Sequence, residues 1–199
     1  VPARSLVPFL DALQADAARA IRLLAASPEI AELRALRTEE RFAPALHHQV
    51  YEGDTALHLA AAANDPRLVS ALLAARADAS AANRLGAQPI HYAADGRPGS
   101  PTWDPRAQAN VIRLLVAAAA DVNACTKLGV TPLHRAVRTR SAAAVEALLA
   151  CGADARQRNK RGSSAADLAR RTTGKSGSGS REAKLEQARI LEILAAHKT

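Results

Sequence analysis

The sequence predicts an elongated all-α stack in which one helix–turn–helix unit is used repeatedly, and three observations lead there. First, Gly53-Asp54-Thr55-Ala56-Leu57-His58, Gly86-Ala87-Gln88-Pro89-Ile90-His91 and Gly129-Val130-Thr131-Pro132-Leu133-His134 share one pattern, and Gly162-Ser163-Ser164-Ala165-Ala166-Asp167 is a weaker fourth copy. Their glycines lie 33, 43 and 33 residues apart. Self-similarity at such a period marks a repeat architecture, whose units bury their apolar faces only against one another. Second, each copy opens like a helix start. Third, each is followed by a second run of helical periodicity.

The helix start can be read position by position. A glycine ahead of it can take positive φ in a tight hairpin at no steric cost. Thr55 and Thr131 stand where a hydroxyl can accept from the unpaired N–H groups of the first turn. Pro89 and Pro132 fall at the first helical position, where no N–H is needed. Leu57, Ile90 and Leu133 supply the first buried contact. The second helix follows from Val69, Leu72 and Leu73, from Ile112, Leu115 and Val116, and from Val145, Leu148 and Leu149, all at i, i+3 and i+4 spacing. Each of these runs leads into Ala-Asp, but only the third has a glycine ahead of it, Gly152. Arg76 and Ala119 stand at the other two positions. A left-handed cap there either fails to form or costs about 1 kcal/mol.

The period of 33 with Gly-x-Thr-Pro-Leu-His resembles the ankyrin repeat, over about residues 50 to 199. The resemblance implies an ankyrin-repeat solenoid of stacked helix–turn–helix units with short β-hairpin fingers. It also implies a non-catalytic protein-binding surface, formed by the finger tips and the exposed side of the inner helices. By the same resemblance His58, His91 and His134 tie each helix start to the neighbouring hairpin. The fourth copy keeps Ile190, Leu191, Ile193 and Leu194 but loses the helix-start residues, as terminal repeats commonly do.

Residues 1–50 lack the signature and read as an N-terminal helical cap, the skeleton of a degenerate repeat, ahead of a repeat domain over 51–199. Leu6, Phe9, Leu10 and Leu13, then Ala17, Ile21 and Leu24, have helical spacing, and Ser27-Pro28-Glu29 reads as the start of a second helix. Two insertions interrupt the period. Ten extra residues, Gly96 to Pro105, lengthen the second repeat, and about a dozen, through Gly174 to Ser180, lengthen the fourth. Gly and Pro at this density exclude regular structure. Both loops are expected to leave the stack opposite the fingers. Trp103, the single tryptophan, lies in the first and reads either as an interface anchor or as a lid over its own loop.

Charge is uneven. Residues 1–100 carry 10 basic and 11 acidic side chains and residues 101–199 carry 17 and 8, so the net charge is −1 against +9. The basic half implies an anionic partner, or else a solvated surface that aids solubility. Carried over by position, the partner-binding candidates on the finger tips are Arg84, Lys127, Lys160 and Arg161. Those on the inner helices are Arg135, Arg138 and Arg140, then Arg170 and Arg171, with Trp103 on its loop. These side chains suit an acidic protein surface, and Arg135 and Arg138 are the expected centre. The alternative is nucleic acid or another polyanion, against which stands the lack of a set of stacking aromatics.

Catalysis, cofactors and metals are not expected. Equivalent histidines on helices stacked about 8–10 Å apart cannot all reach one zinc ion at about 2 Å. Cys125 and Cys151 read as free thiols, expected in the cytoplasm. Val1 is not a Met, so a removed leader leaves the periplasm or secretion open. No apolar run is long enough for a membrane span, and a monomer is expected.

Overall fold

Short polar side chains decide where the helices begin. Thr55 and Thr131 accept from the backbone N–H of His58 and His134, while Asp65, Asp104 and Ser141 cap the second helices of their repeats. The protein, described here by a computed structural model over residues 5–172 and 181–197, contains α1 (Val7–Ala15), α2 (Ala17–Ala26), β1 (Arg41–Ala43), β2 (His48–Val50), α3 (Ala56–Ala62), α4 (Pro66–Ala74), α5 (Pro89–Ala93), α6 (Pro105–Ala117), α7 (Pro132–Arg138), α8 (Ala142–Ala150), α9 (Ala165–Thr172) and α10 (Arg181–Ala196).

Consecutive helices pair as antiparallel hairpins, and the pairs stack in two layers. The inner layer runs α1, α3, α5, α7, α9 and the outer layer α2, α4, α6, α8, α10. Leu57, Leu68, Leu72, Ile90, Ile112, Leu133 and Leu148 are fully buried between them. Buried alanines fill the spaces, Ala60, Ala93, Ala136 and Ala144 among them. Small side chains let helices approach closely, so few aromatics are needed. The helix pair α1/α2 occupies the place of a repeat at the N-terminal end of the stack.

The outer helices close with left-handed caps even where glycine is missing. Arg76 and Ala119 take φ of 64° and 65°, against 92° at Gly152. In all three the next N–H reaches back to the last turn, Ala77 to Leu72, Ala120 to Leu115 and Ala153 to Leu148, the bonding of a Schellman motif. The motif therefore forms at a cost rather than failing. Its Asp is used at once: Asp78, Asp121 and Asp154 accept from the N–H two residues on.

Between repeats the chain makes fingers. Each is a tight turn closed by backbone bonds, such as Asn83 N–H to the Ala87 carbonyl at 2.9 Å and Thr126 to Val130 at 3.0 Å. They are too short to count as strands. Successive fingers are joined by one backbone bond each: Arg84 N–H to Glu52, Lys127 to Leu85 and Lys160 to Leu128, at 2.8, 2.9 and 3.0 Å. Gly86 shows why glycine is needed: its φ is 76°, and a Cβ would lie 2.9 Å from the Lys127 nitrogen of the next finger.

The histidines complete the link. The Nδ1 of His58, His91 and His134 accepts the N–H of Thr55, Gln88 and Thr131. The Nε2 donates to the carbonyl of Ala87, Val130 or Ser163 in the next finger, at 3.0, 3.0 and 2.9 Å. Only a neutral ring with its proton on Nε2 fits both bonds. In the fourth repeat Asp167 takes the position and accepts from Ser164 N–H and Oγ.

Residues 1–50 differ from expectation in two ways. Asp16 is extended and caps a new helix through Ala18 N–H, so the first apolar run divides into α1 and α2. Ser27-Pro28-Glu29 begins only a 3-10 turn over Pro28–Glu32, and the chain then forms the antiparallel hairpin β1–β2, with Phe42 opposite Gln49. Pro44 ends β1 and starts the short turn that reverses the chain. The Gly174–Ser180 insertion lies outside the described residues. Among the described residues no helix is long and apolar enough to cross a membrane.

Burial sets a pH dependence. It lowers the pKa of all three histidines, that of His91 to about 4, while unfolded histidine titrates near about 6.5. Below that value the unfolded chain takes up protons that the native chain refuses, so the histidine contribution is complete above about pH 6.5 and is lost as pH falls toward 4. His91 alone accounts for about 3 kcal/mol across that window. Urea midpoints should fall steadily from about pH 7 to about pH 5; a flat profile would contradict the neutral-histidine link.

Candidate binding groove

The fingers and the exposed side of the inner helices enclose a groove, and the β1–β2 hairpin closes off its N-terminal part. There the groove has a volume of about 730 Å³. The hairpin and the residue after it form one wall, with Leu46, His47, His48 and Tyr51. The second and third fingers contribute Leu85, Lys127, Leu128 and Val130. The inner layer adds Tyr92, Asp95, Arg135, Arg138 and Thr139, and the start of the first insertion adds Gly96 and Arg97. Leu128, Val130 and Arg138 continue into a second stretch of about 290 Å³ with Lys160, Arg161, Leu168 and Arg171. Among the described residues no carboxylate lines this second stretch.

Arg135 does not stand open in this groove. Its guanidinium bonds Asp95 through both Nε and Nη2, lies 5.3 Å from the Tyr92 ring centroid, and is 13% exposed. His48 from β2 stacks on Tyr92 at 4.0 Å and places its Nε2 3.1 Å from Asp95 and 3.2 Å from Arg135. Tyr92 donates to the buried Asp54 carboxylate at 2.8 Å, and Asn83 supports both. Burial alone would raise the Asp95 pKa; the Arg135 charge and the His48 bond outweigh it and hold the carboxyl below its usual value. Burial lowers and Asp95 raises the Arg135 pKa, with Asp95 prevailing. Burial and the Asp54 charge push the Tyr92 phenol up.

Arg84 is exposed but also paired within the chain. It bonds Glu40 through Nε and Nη2 and lies over Tyr51. Both arginines are thus neutralised by carboxylates that the sequence reading passed over, and the expected centre at Arg135 moves. Trp103 is half-buried, and its Nε1 donates at 3.0 Å to Oε1 of the buried Gln108. That amide also donates to the Ala93 carbonyl and accepts from Ser141. The Trp103 indole N–H is therefore partnered within the chain, on α6. The loop starts against the α7–α8 turn, opposite the fingers, where Gly96 N–H donates to Thr139 Oγ1 at 3.1 Å.

The remaining candidates fall into two groups. Lys127, Arg138, Lys160, Arg161 and Arg171 are exposed and line the groove. Arg170 bonds Asp167 at 3.1 Å and faces a different cleft at the C-terminal end of the stack. Arg140 is half-buried with φ of 58° and caps α7. The sequence reading missed Asp95, Arg97, Tyr51, Leu46 and the hairpin wall. Asp95 and Arg97 flank the start of an insertion, where no repeat position marks them. Among the described residues no group of three His, Cys, Asp or Glu could hold a metal ion, and Cys125 and Cys151 are unbridged.

Removing Asp95 would leave a buried guanidinium unpaired. Asp95→Ala should lower the unfolding free energy by about 3 kcal/mol, read from the urea midpoint. Reversal at Arg138, an exposed residue, should leave that midpoint within about 0.5 kcal/mol of wild type. Equal effects at the two positions would refute this division of the arginines.

Residues 52–84 match the model of the ankyrin repeat, and residues 111–169 match a model of ankyrin repeats in many copies. The unmatched stretch between them, 85–110, holds the ten-residue insertion. No curated protein matches the chain.

Proposed function

From the premise that this chain is an ankyrin-repeat protein, a family whose repeats are generally protein–protein interaction modules, we propose that it is a non-catalytic binding module for an acidic segment of another protein. The observation that carries this reading is the C-terminal stretch of the groove. Arg138, Lys160, Arg161 and Arg171 line it around Leu128, Val130 and Leu168, with no carboxylate among its lining residues. Guanidinium groups bond carboxylates bidentately, and a concave basic surface raises the local concentration of an anionic partner.

The same observation sets the partner's pattern. Apolar Leu85 and Leu128 are 38% and 64% exposed on adjacent finger tips, and Lys160 and Arg161 follow on the next finger. A segment with apolar side chains toward the second and third fingers and carboxylates toward the fourth satisfies both. Nucleic acid fits less well, because Tyr92 is buried and cannot stack on a base.

The test compares binding of poly-L-glutamate and of a random oligonucleotide by the wild type and by Arg138→Glu/Arg161→Glu, with circular dichroism to confirm the fold. Poly-L-glutamate should bind the wild type, and the double reversal should weaken it by about tenfold or more. An oligonucleotide that binds more tightly than poly-L-glutamate at physiological salt would move the function to the nucleic-acid class.

A further inference from the structure

We infer that the groove takes the free C-terminal end of its partner, with the terminal carboxylate seated between the β1–β2 hairpin and the third finger. This rests on the reading of the groove as a site for an acidic protein segment and adds what kind of segment it is. Three observations lead to it.

The first is the shape. An unobstructed groove would run on along the inner layer toward α1, and a bound segment could continue out of either end. Here β2 crosses the inner layer at α5: His48 stacks flat on Tyr92 and its Nε2 lies 3.1 Å from Asp95. Ala43, Leu46 and Val50 of the same hairpin are buried in the N-terminal core, so the hairpin is a fixed wall. A second constraint comes from the finger side, where Glu40, just before β1, holds Arg84 of the second finger. A segment lying in the groove must therefore end, or turn sharply out, at this wall.

The second is charge. The walled part of the groove is lined by Arg97, Lys127 and Arg138, and none of these has a carboxylate within ion-pair distance among the described residues. The single carboxylate lining it is Asp95, which is already held by Arg135 and His48. An entering N-terminus would bring an ammonium against three cations with no free anion. An entering C-terminus brings a carboxylate that Lys127, on the third finger, can bind.

The third is the apolar surface beside those cations. Leu46, Leu85, Leu128 and Val130 line the same space, so the residues just before the carboxylate are apolar. Acidic residues further back then lie along Lys160, Arg161 and Arg171. The inferred ligand reads, in order, acidic run, apolar residues, free carboxylate.

The experiment uses fluorescein-labelled peptide pools with the label at the N-terminus: a run of Asp and Glu, then a run randomised over Leu, Ile, Val and Phe. Fluorescence anisotropy compares the pool ending in a free carboxylate with the same pool as C-terminal amides, and with the same pool extended by Gly-Ser residues. The free acid should bind tightest, the amide about tenfold more weakly, and the extended pool more weakly still. Lys127→Glu, an exposed change, should erase the preference for acid over amide while leaving the circular-dichroism spectrum intact. Equal binding of free, amidated and extended pools would overturn capture of an end and leave the acidic-segment reading standing. Failure of all three pools while poly-L-glutamate still binds would also overturn it. Failure of the pools and of poly-L-glutamate together would remove the reading on which it rests.

Discussion

A single neutral imidazole per junction holds this architecture in register. In His58, His91 and His134 one ring nitrogen accepts from the start of its own helix and the other donates to the next finger. The Nε2 bond crosses between repeats while the Nδ1 bond anchors the ring to its own helix start, so helix and finger of adjacent units cannot slide independently. The side chain must be neutral and in one tautomer, and complete burial enforces the first condition. Where no further finger is described, the position is Asp167, an acceptor that serves its own helix start through Ser164. The groove depends on this register, because its walls are the fingers and its floor the inner helices.

With register fixed at the fingers, the chain can be lengthened elsewhere. Ten extra residues between α5 and α6 do not disturb the finger spacing, since Lys127 still donates to Leu85 as Arg84 does to Glu52. Gly96 allows the inserted loop to start flush against α8: a Cβ there would lie 2.4 Å from that of Ser141. The β1–β2 hairpin before α3 acts differently, because it folds back across the inner layer. The Asp95–Arg135 pair beneath it is of a kind whose desolvation offsets much of its Coulomb gain. Its contribution is therefore one of geometry: it holds His48 and Tyr92 face to face and sets where the wall stands.

What could be read in the sequence was local or periodic. The finger glycines, the Thr-Pro helix starts and the paired apolar runs repeat at a fixed interval, so each copy supports the others. What could not be read depends on contacts without a period. Asp16 breaks the first apolar run by one residue, and β1–β2 is a non-repeating hairpin whose strands are three residues each. Arg84 and Arg135 looked like open groove cations because Glu40 and Asp95 lie 44 and 40 residues away in sequence. Trp103 gave no sign that Gln108, five residues on, was the buried acceptor for its indole. At Arg76 and Ala119 the stack imposes a left-handed cap on residues that disfavour it, which no local propensity foretells.

Net charge is a poor guide to where such a molecule attracts a partner, and this chain shows why. The C-terminal half carries the excess of basic side chains, yet Arg135 and Arg170 there have carboxylate partners. Arg158 also bonds Asp167. Exposed charges on a convex surface are screened within about 8 Å at physiological salt and select little. Cations without an ion-pair partner among the described residues, lining a concavity beside apolar finger tips, act together on one segment and lose water together when it binds. Those are Lys127, Arg138, Lys160 and Arg161, on two fingers and one inner helix. Specificity therefore follows from the spacing of the fingers, which the histidine links fix, more than from the total charge that the composition reports.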